Sequence, residues 1–298
     1  MTVGPIVAGT DGSPESLLAV DWAAREAKLR QVPLRIVAAP LTCPDLERPG
    51  KFSYSISAQF ADEAAREDAA RALRAAVRRT EWLVPGLRPG TAVIDGTPAQ
   101  ALLNVARNAS MLVVGSRRAR GSGGMMLGPV SRYVSTHAPL PVVIVCHDTA
   151  SAHGEIVVGV EDPDRSDAVL EFGFEEAALR GARLLAVHGW PWVLSGPQPA
   201  RTSVGDRLTA TGSHRLPDEA ATRLEATLGR WREKHPGVQA GWEVVHDNPV
   251  SVLAGASARA DLLLIGRDRQ GSVIGSVSYA ALDHAHCPVA VIPVDPDD

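Results

Sequence analysis

The segment IVAGTDGSPES, residues 6–16, returns as IVVGVEDPDRS at residues 156–166. In both copies a short apolar run leads into a turn that contains aspartate and proline. This pattern is typical of a β-strand that turns directly into a helix. Because the two copies are 150 residues apart, the chain contains this strand–turn–helix unit twice.

The remainder of the chain repeats in the same order. Residues 93–117 match residues 244–268 at an offset of 151, and residues 128–145 match residues 275–292 at an offset of 147. The stretch between these two blocks is therefore four residues shorter in the second half. Repeats of this length indicate tandem copies of one fold. They predict two domains, at residues 1–148 and 153–298.

Each half alternates short apolar runs with longer segments of helical period. In the first half the runs are PIVAG, LRIVAA, TAVID, MLVVG and PVVIV. Strands that are apolar on both faces belong to a buried parallel sheet, and their alternation with helices implies right-handed crossovers. The sequence predicts an α/β protein with two tandem, doubly wound, five-stranded parallel-sheet domains. Ser13 is expected to cap the first helix, which runs from Pro14 to about Arg30.

Composition excludes several classes of protein. The net charge of −4 provides no general attraction to nucleic acid or to anionic membranes, and neither is expected as a partner. No apolar run approaches the roughly 18 residues of a membrane span, and no secretory signal is visible at the amino terminus. Cys43, Cys146 and Cys287 are too few for a disulfide framework, so buried or reduced thiols are expected. These features predict a cytoplasmic protein.

The stretch GSRRARGSGGMMLGPVS, residues 115–131, combines five glycines with three arginines. It follows a predicted strand and precedes a helix that begins near Pro129. Ligands of open α/β sheets bind at the carboxyl ends of strands, where helix amides can hold an anion. The stretch contains neither a P-loop nor a dinucleotide fingerprint, since the third glycine of the latter is replaced by Met126. A phosphate site and a flexible loop both remain open.

Five segments, present in both halves, resemble the universal stress protein superfamily. They are the strand with DGSPES, the DGTP before the third helix, the glycine-rich loop, the VS after it and the ending HAPLPVVIV. The resemblance covers nearly the whole chain and implies an adenine-nucleotide α-hydrolase-like fold in each half. It also implies that the last strands, PVVIVCH and PVAVIPV, pair within the chain about a pseudo-two-fold axis. A homodimer of tandem chains and unknown protein partners are further expectations.

The resemblance also implies a site for ATP, with magnesium, or for a related adenine nucleotide acting as a regulatory ligand. ATP-binding members carry Gly, two residues, Gly, nine residues, then Gly and Ser or Thr. Gly115 and Gly128 match the outer glycines, but Arg118 and Pro129 replace the other two positions. The three arginines of the loop offer compensating donors to phosphate. The candidate nucleotide-binding residues are Asp11, Ala39, Gly115, Arg117, Arg118, Arg120, Gly128 and Ser131.

The second half departs further from the pattern. Its loop is four residues shorter, Arg269 replaces the middle glycine, and Asp268 adds a negative charge close to any phosphate. The first half is therefore the stronger candidate. The weaker second site comprises Glu161, Gly266, Gly275, Ser276 and Ser278.

Two further functions and one metal site were weighed. An interaction protein whose nucleotide sites have decayed is the main alternative, and slow ATP hydrolysis is the enzymatic one, although no nucleophile or catalytic residue can be assigned. The sequence DHAHC, residues 283–287, is rich in metal-ligand types, but its histidines are two residues apart at a helix end and do not share a face. No metal site is predicted there.

Overall fold

The computed structural model describes residues 4–40, 56–118, 125–146, 152–189, 215–269 and 276–295. The first half contains β1 Ile6–Gly9, α1 Pro14–Arg30, β2 Leu34–Ala38, α2 Ile56–Leu83, β3 Gly90–Val93, α3 Pro98–Ala106, β4 Met111–Gly115, β5 Arg117–Arg118, β6 Met125–Met126, α4 Pro129–His137 and β7 Val142–Val145. The second contains β8 Glu155–Gly159, a short 3-10 helix Pro163–Arg165, α5 Asp167–Arg180, β9 Arg183–Gly189, α6 Arg215–Lys234, β10 Ala240–Val245, α7 Pro249–Ser257, β11 Leu262–Asp268, α8 Ser276–His284 and β12 Val289–Val294.

Ten of these strands form one continuous sheet in the order β10-β9-β8-β11-β12-β7-β4-β1-β2-β3. Every neighbouring pair within a half is parallel. The predicted α/β fold with two five-stranded parallel sheets is confirmed. The strands β5 and β6 lie outside this sheet and form a two-stranded antiparallel ribbon within the glycine-rich stretch, which the sequence did not predict.

Helices cover both faces of the sheet, which explains why its central strands are largely apolar. In β1, Ile6 and Ala8 belong to the core beneath α1, α2, α5 and α6, whereas Val7 belongs to the core beneath α3, α4, α7 and α8. Successive side chains of a strand point to opposite faces, so a central strand such as β1 is buried on both sides and is hydrophobic at every position. Helix α1 begins as expected, with Ser13 accepting a hydrogen bond from the Ser16 amide at 3.3 Å.

The two halves meet where β7 pairs antiparallel with β12, with Val143 opposite Ala290 at the centre of three residue pairs. The pairing of the last strands within the chain is thus confirmed. Pro141 and Pro288 precede the two strands, and their carbonyls accept hydrogen bonds from strands β4 and β11. Cys146 and Cys287 are buried beside this junction and form no disulfide. Burial raises the pKa of the Cys287 thiol well above its usual value.

A buried ring of four charged side chains joins α1 to α5. Arg30 donates to Glu26 of its own helix and to Glu176 of the other, and Arg180 donates to Glu176 and to Glu26 in the same manner. The two glutamates are 2% and 0% exposed. Each carboxylate faces two guanidinium groups, so the buried charges compensate one another.

Each arginine of this charged ring also lies near an aromatic side chain. The guanidinium of Arg30 lies 5.3 Å from the ring centre of Phe172, and that of Arg180 lies 5.9 Å from the ring centre of Trp22. Both distances are within the range of cation–π attraction. Because Trp22 and Phe172 are also 150 residues apart, the whole cluster obeys the pseudo-two-fold relation between the halves.

Removal of one member of the charged ring should destabilise the protein severely. We expect Glu176→Leu to lower the free energy of unfolding by about 3–5 kcal/mol, because two arginines then lose a buried partner. Urea denaturation followed by circular dichroism measures this change. Asp68→Leu breaks the exposed pair with Arg71 and serves as the control, with little expected effect. A loss no larger than that of the control would contradict a stabilising role for the ring.

Candidate functional site

The candidate site lies at the carboxyl ends of β1, β2 and β4. In the sheet β1 stands between β4 and β2, so the strand order reverses beside it. Gly9 is in register with Val37, which brings Asp11 and Ala39, each two residues further on, to the same edge. Gly115, the last residue of β4, lies beside them. Such a reversal point is where open α/β sheets bind ligands.

The turn after β1 is held by a local network of hydrogen bonds. The Ser16 hydroxyl lies 3.1 Å from that of Thr10 and donates to the Ser13 carbonyl at 2.9 Å. Gly12, at φ +81°, adopts a backbone conformation that favours glycine, and a Cβ added there would lie 3.1 Å from the Cβ of Ala72. The turn is therefore fixed by its own residues before any ligand arrives.

Asp11 projects from this turn and is exposed. Its Oδ1 accepts hydrogen bonds from the Ser13 amide at 2.9 Å and from the Ser13 hydroxyl at 2.5 Å. Partial burial by itself raises the pKa of Asp11, but the hydrogen bonds from Ser13 and Ser16 outweigh burial and leave the pKa below its usual value. Asp11 is therefore a carboxylate at neutral pH that shapes the turn and is exposed to solvent.

Ala39 follows the last residue of β2. The carbonyl of its neighbour Ala38 accepts a hydrogen bond from the Ile94 amide at 3.0 Å. Within the described residues, neither the amide nor the carbonyl of Ala39 takes part in a hydrogen bond. A donor and an acceptor of the main chain thus remain available at this edge.

Gly115 is required by packing alone. A Cβ at this position would lie 2.5 Å from the carbonyl oxygen of Glu15 and 2.8 Å from the amide of Ser16. The end of β4 therefore touches the first turn of α1, and no other residue fits there. The Gly115 carbonyl also accepts a hydrogen bond from the Ser131 hydroxyl at 2.7 Å. Ser131, predicted to bind nucleotide, is buried and ties the start of α4 to the end of β4.

Gly128 differs from Gly115, because a Cβ at Gly128 would meet no atom of the described residues within 4 Å. It occupies the N-cap position of α4 with no side-chain cap, and no acidic residue lies in the first turn. Pro129 has no amide hydrogen, so Val130 and Ser131 provide the amides of the first turn. Open space thus adjoins the positive end of a helix.

The arginines of the loop are described only in part. Arg117 and Arg118 form β5, opposite Met126 and Met125 of β6. Arg120 lies outside the described residues. The backbone of the loop thus doubles back as a ribbon before it reaches α4. The amide of Leu127, at the end of this ribbon, donates to the carboxylate of Asp283 in α8 of the second half.

The equivalent edge of the second half is occupied by its own side chains. Glu161, the counterpart of Asp11, is exposed. The next turn is the short 3-10 helix, in which Asp162 accepts from the Asp164 amide at 3.1 Å. Arg223 of α6 donates to the carboxylates of both aspartates. This cluster lies where the first half has its glycine turn.

His188 takes the position that Ala38 has in the first half. It is buried, and its Nδ1 lies 2.7 Å from the carbonyl oxygen of Val160. Gly189, the counterpart of Ala39, lies so close to Pro249 that an added Cβ would be 2.6 Å from the proline Cα. The imidazole and the proline therefore pack closely around the end of β9.

The segment after Gly266 forms contacts across the junction between the two halves. Strand β11 continues through Asp268 beside β12. The buried Arg267 donates from Nη2 to the Ala138 carbonyl at 2.7 Å, and Arg269 donates to the Pro139 carbonyl at 3.1 Å. Both carbonyls lie at the C-terminal end of α4, whose dipole attracts positive charge. Burial lowers the pKa of Arg267 below its usual value.

The remaining residues of the weaker site are only partly described. Gly275 lies outside the described residues, and Ser276 and Ser278 are known only as backbone positions in α8. Within the described part of the chain, no three His, Cys, Asp or Glu side chains form a group that could hold a metal ion. No helix there is long and apolar enough to cross a membrane.

Comparison with known proteins agrees with the repeat. The model of the universal stress protein family matches residues 2–145 and again residues 153–293. A universal stress protein of Mycobacterium tuberculosis (strain H37Rv) is 31% identical over 98% of this chain and 96% of its own. A crystal structure of one from Archaeoglobus fulgidus aligns with 100% of this chain and 98% of its own, with 19% identity and a TM-score of 0.69. Another, solved in complex with cAMP, covers 49% of this chain at 26% identity and a TM-score of 0.36.

The Ser13 hydroxyl should govern the titration of Asp11. Because Ser13→Ala removes a hydrogen bond to the carboxylate while partial burial remains, the pKa of Asp11 should rise. In the native protein the depressed pKa stabilises the fold at neutral pH, and this stabilisation disappears as the pH falls through it. In the variant this stabilisation is smaller, and its loss is complete at a higher pH than in the native protein. The missing N-cap costs a further amount of about 1 kcal/mol at neutral pH. Carbon-13 NMR of Asp11 measures the shift, and an unchanged pKa would contradict the assignment.

Proposed function

The chain belongs to the universal stress protein family, and on that premise we propose that its first domain, more than its second, binds an adenine nucleotide such as ATP as a regulatory ligand. The observation that carries this proposal is a difference between the two halves. At the carboxyl edge of the first half, the main-chain groups of Ala39 form no hydrogen bond and a Cβ at Gly128 would meet no atom, as far as the described residues go. At the same edge of the second half, side chains of the protein fill the corresponding positions.

The adenosine part of the ligand would lie along the ends of β1 and β2. The free amide and carbonyl of Ala39 can pair with the donor and acceptor edge of adenine. The Asp11 carboxylate, held ionised by its depressed pKa, can accept hydrogen bonds from ribose hydroxyls. A donor, an acceptor and a carboxylate in this arrangement match a nucleoside better than a hydrophobic ligand.

The phosphates would lie at the start of α4. Its first-turn amides, the helix dipole and the open space at Gly128 all favour an anion. Arg117, Arg118 and Arg120 belong to the loop that leads there and would supply charged donors. They would compensate for the hydroxyl and the amide hydrogen that Pro129 lacks. We assign magnesium no ligand among the described residues, so it would enter with the phosphates.

In the second half the corresponding residues are engaged in contacts within the protein. Arg267 and Arg269 bind the end of α4, and His188 and Pro249 occupy the space beside Gly189. A nucleotide there would have to displace a buried imidazole from its hydrogen bond. These contacts support a stoichiometry of one nucleotide per chain.

A second candidate function is interaction with other proteins without any nucleotide. Two observations favour it: Gly115 is explained by its contact with α1, and the Ser131 hydroxyl is already bonded within the protein. Neither residue is therefore evidence for a bound ligand. The two functions are separated by native mass spectrometry of the purified protein, followed by calorimetric titration with ATP and magnesium.

A charge at Gly128 should separate phosphate binding from folding. We expect Gly128→Asp to weaken ATP binding at least tenfold, because its carboxylate repels phosphate. As a favourable N-cap it should leave the protein as stable as before or slightly more so.

Gly128→Asn is the matched control, with nearly the same shape and capping ability but no charge. It should bind ATP more tightly than Gly128→Asp. Calorimetric titration and thermal melting of both variants provide the comparison. Equal affinity of the wild-type protein and Gly128→Asp would exclude the N-terminus of α4 as the phosphate site.

A further inference from the structure

An open sheet edge adjoins a groove in the first half of the chain. Among the strands that the structure describes, β3 is the last of the sheet on its side, and β2 is its single neighbour. A groove of about 400 Å³ runs between β3 and α2. It is lined on the helix side by Leu73, Arg74, Val77 and Arg78 and on the strand side by Thr91 and Val93.

The main chain of β3 has unused hydrogen-bonding groups along this groove. The Ile94 amide donates to the Ala38 carbonyl at 3.0 Å. The main-chain groups of Gly90, Ala92 and Ile94 therefore face β2. In a parallel strand the alternate residues, Thr91 and Val93, then face the open edge. Within the described residues their amides and carbonyls form no hydrogen bond. Such an edge is a template for another strand.

At the equivalent edge of the second half, one outward carbonyl is already bonded. The Leu184 amide donates to the Gln239 carbonyl, so the next carbonyl, that of Ala240, faces away from β9. Arg232 of α6 donates to this carbonyl at 3.1 Å. Ala240 corresponds to Pro89, just before β3, and the residue of α2 that corresponds to Arg232 is Glu81, a carboxylate that cannot donate to a carbonyl. The start of the β3 edge therefore has no equivalent of this arginine contact.

The helix side of the groove is basic and ends at an exposed tryptophan. Arg78 is exposed and has no ion pair within the described residues. Arg74 is 3.4 Å from Glu67, and both side chains are more than half exposed, so this pair contributes little. Trp82 follows Arg78 by one helical turn and is 80% exposed. Arginine and tryptophan are the residues most often found at the centre of protein interfaces.

We propose that the β3 edge binds an extended, acidic peptide segment of a partner protein as an additional strand. Thr91 and Val93 supply the main-chain hydrogen bonds. A central apolar side chain of the peptide enters the groove between Leu73 and Val77. Acidic side chains two residues to either side of it reach Arg74 and Arg78, because alternate residues of a strand share one face.

The probe is the synthetic peptide acetyl-Ser-Glu-Thr-Val-Thr-Glu-Ser-amide, titrated into nitrogen-15-labelled full-length protein and followed by NMR. We expect saturable shifts of the Thr91 and Val93 amides. A peptide with lysine in place of both glutamates, and one that is N-methylated at alternate amides, should fail to produce them. No shift at roughly 1 mM probe, or equal shifts with either control peptide, would overturn the proposal.

Two variants test the basic wall and the strand edge separately. Arg78→Glu should weaken binding of the probe about tenfold or more, whereas Arg107→Glu, the same charge change at the end of α3 on the other face of the sheet, should leave it unchanged. Thr91→Pro removes an outward amide without breaking the pairing with β2 and should abolish binding. Thr91 shifts that depend on protein concentration without peptide would replace the proposed partner with a second copy of the chain.

Discussion

The antiparallel pairing of β7 with β12 determines the architecture of the whole molecule. It joins two parallel sheets, each of which would otherwise expose a hydrophobic edge strand, into one sheet of ten strands. The same pairing sets α1 beside α5, so that charged side chains from two separate helices meet in a closed ring. It also leaves β3 and β10 as the only edges of this sheet among the described strands. The contact between the two halves and the two edges of the sheet therefore follow from the three residue pairs that join β7 to β12.

Within this symmetric frame the two copies have diverged at the carboxyl ends of their strands. The first copy has small residues there, whereas the second has His188, Arg223 and Arg267. Each of these three side chains forms a hydrogen bond or an ion pair within the protein. The corresponding positions of the second copy are thus part of its packed structure.

The sequence alone predicted the elements that depend on local pattern. The repeat fixed the order of strands and helices, Ser13 marked the start of α1, and Pro129 marked the start of α4. The candidate residues Asp11, Ala39 and Gly128 lie at one edge because each follows or precedes an element that ends there. Their roles toward a ligand stay a prediction.

Other features depend on contacts between distant parts of the chain. The contact of Gly115 with the backbone of α1 has no local signature, and Arg267 meets Ala138 across 129 residues. The charged ring did leave a trace, since Glu and Arg four residues apart recur 150 residues later. Such pairs are common on exposed helices, so their spacing alone does not indicate a buried ring.

The hydrogen bond from Arg267 to the end of α4 bears on how the two halves of this chain could diverge. In the first half the matching position is Ser116, so the arginine is present on one side of the junction only. A self-paired domain carries every substitution on both sides of its interface at once, and a residue useful on one side must be tolerated on the other. Fusion of two copies removes that restriction, since each half mutates independently. The one-sided arginine is what such independence produces, and it makes the two halves complementary rather than interchangeable.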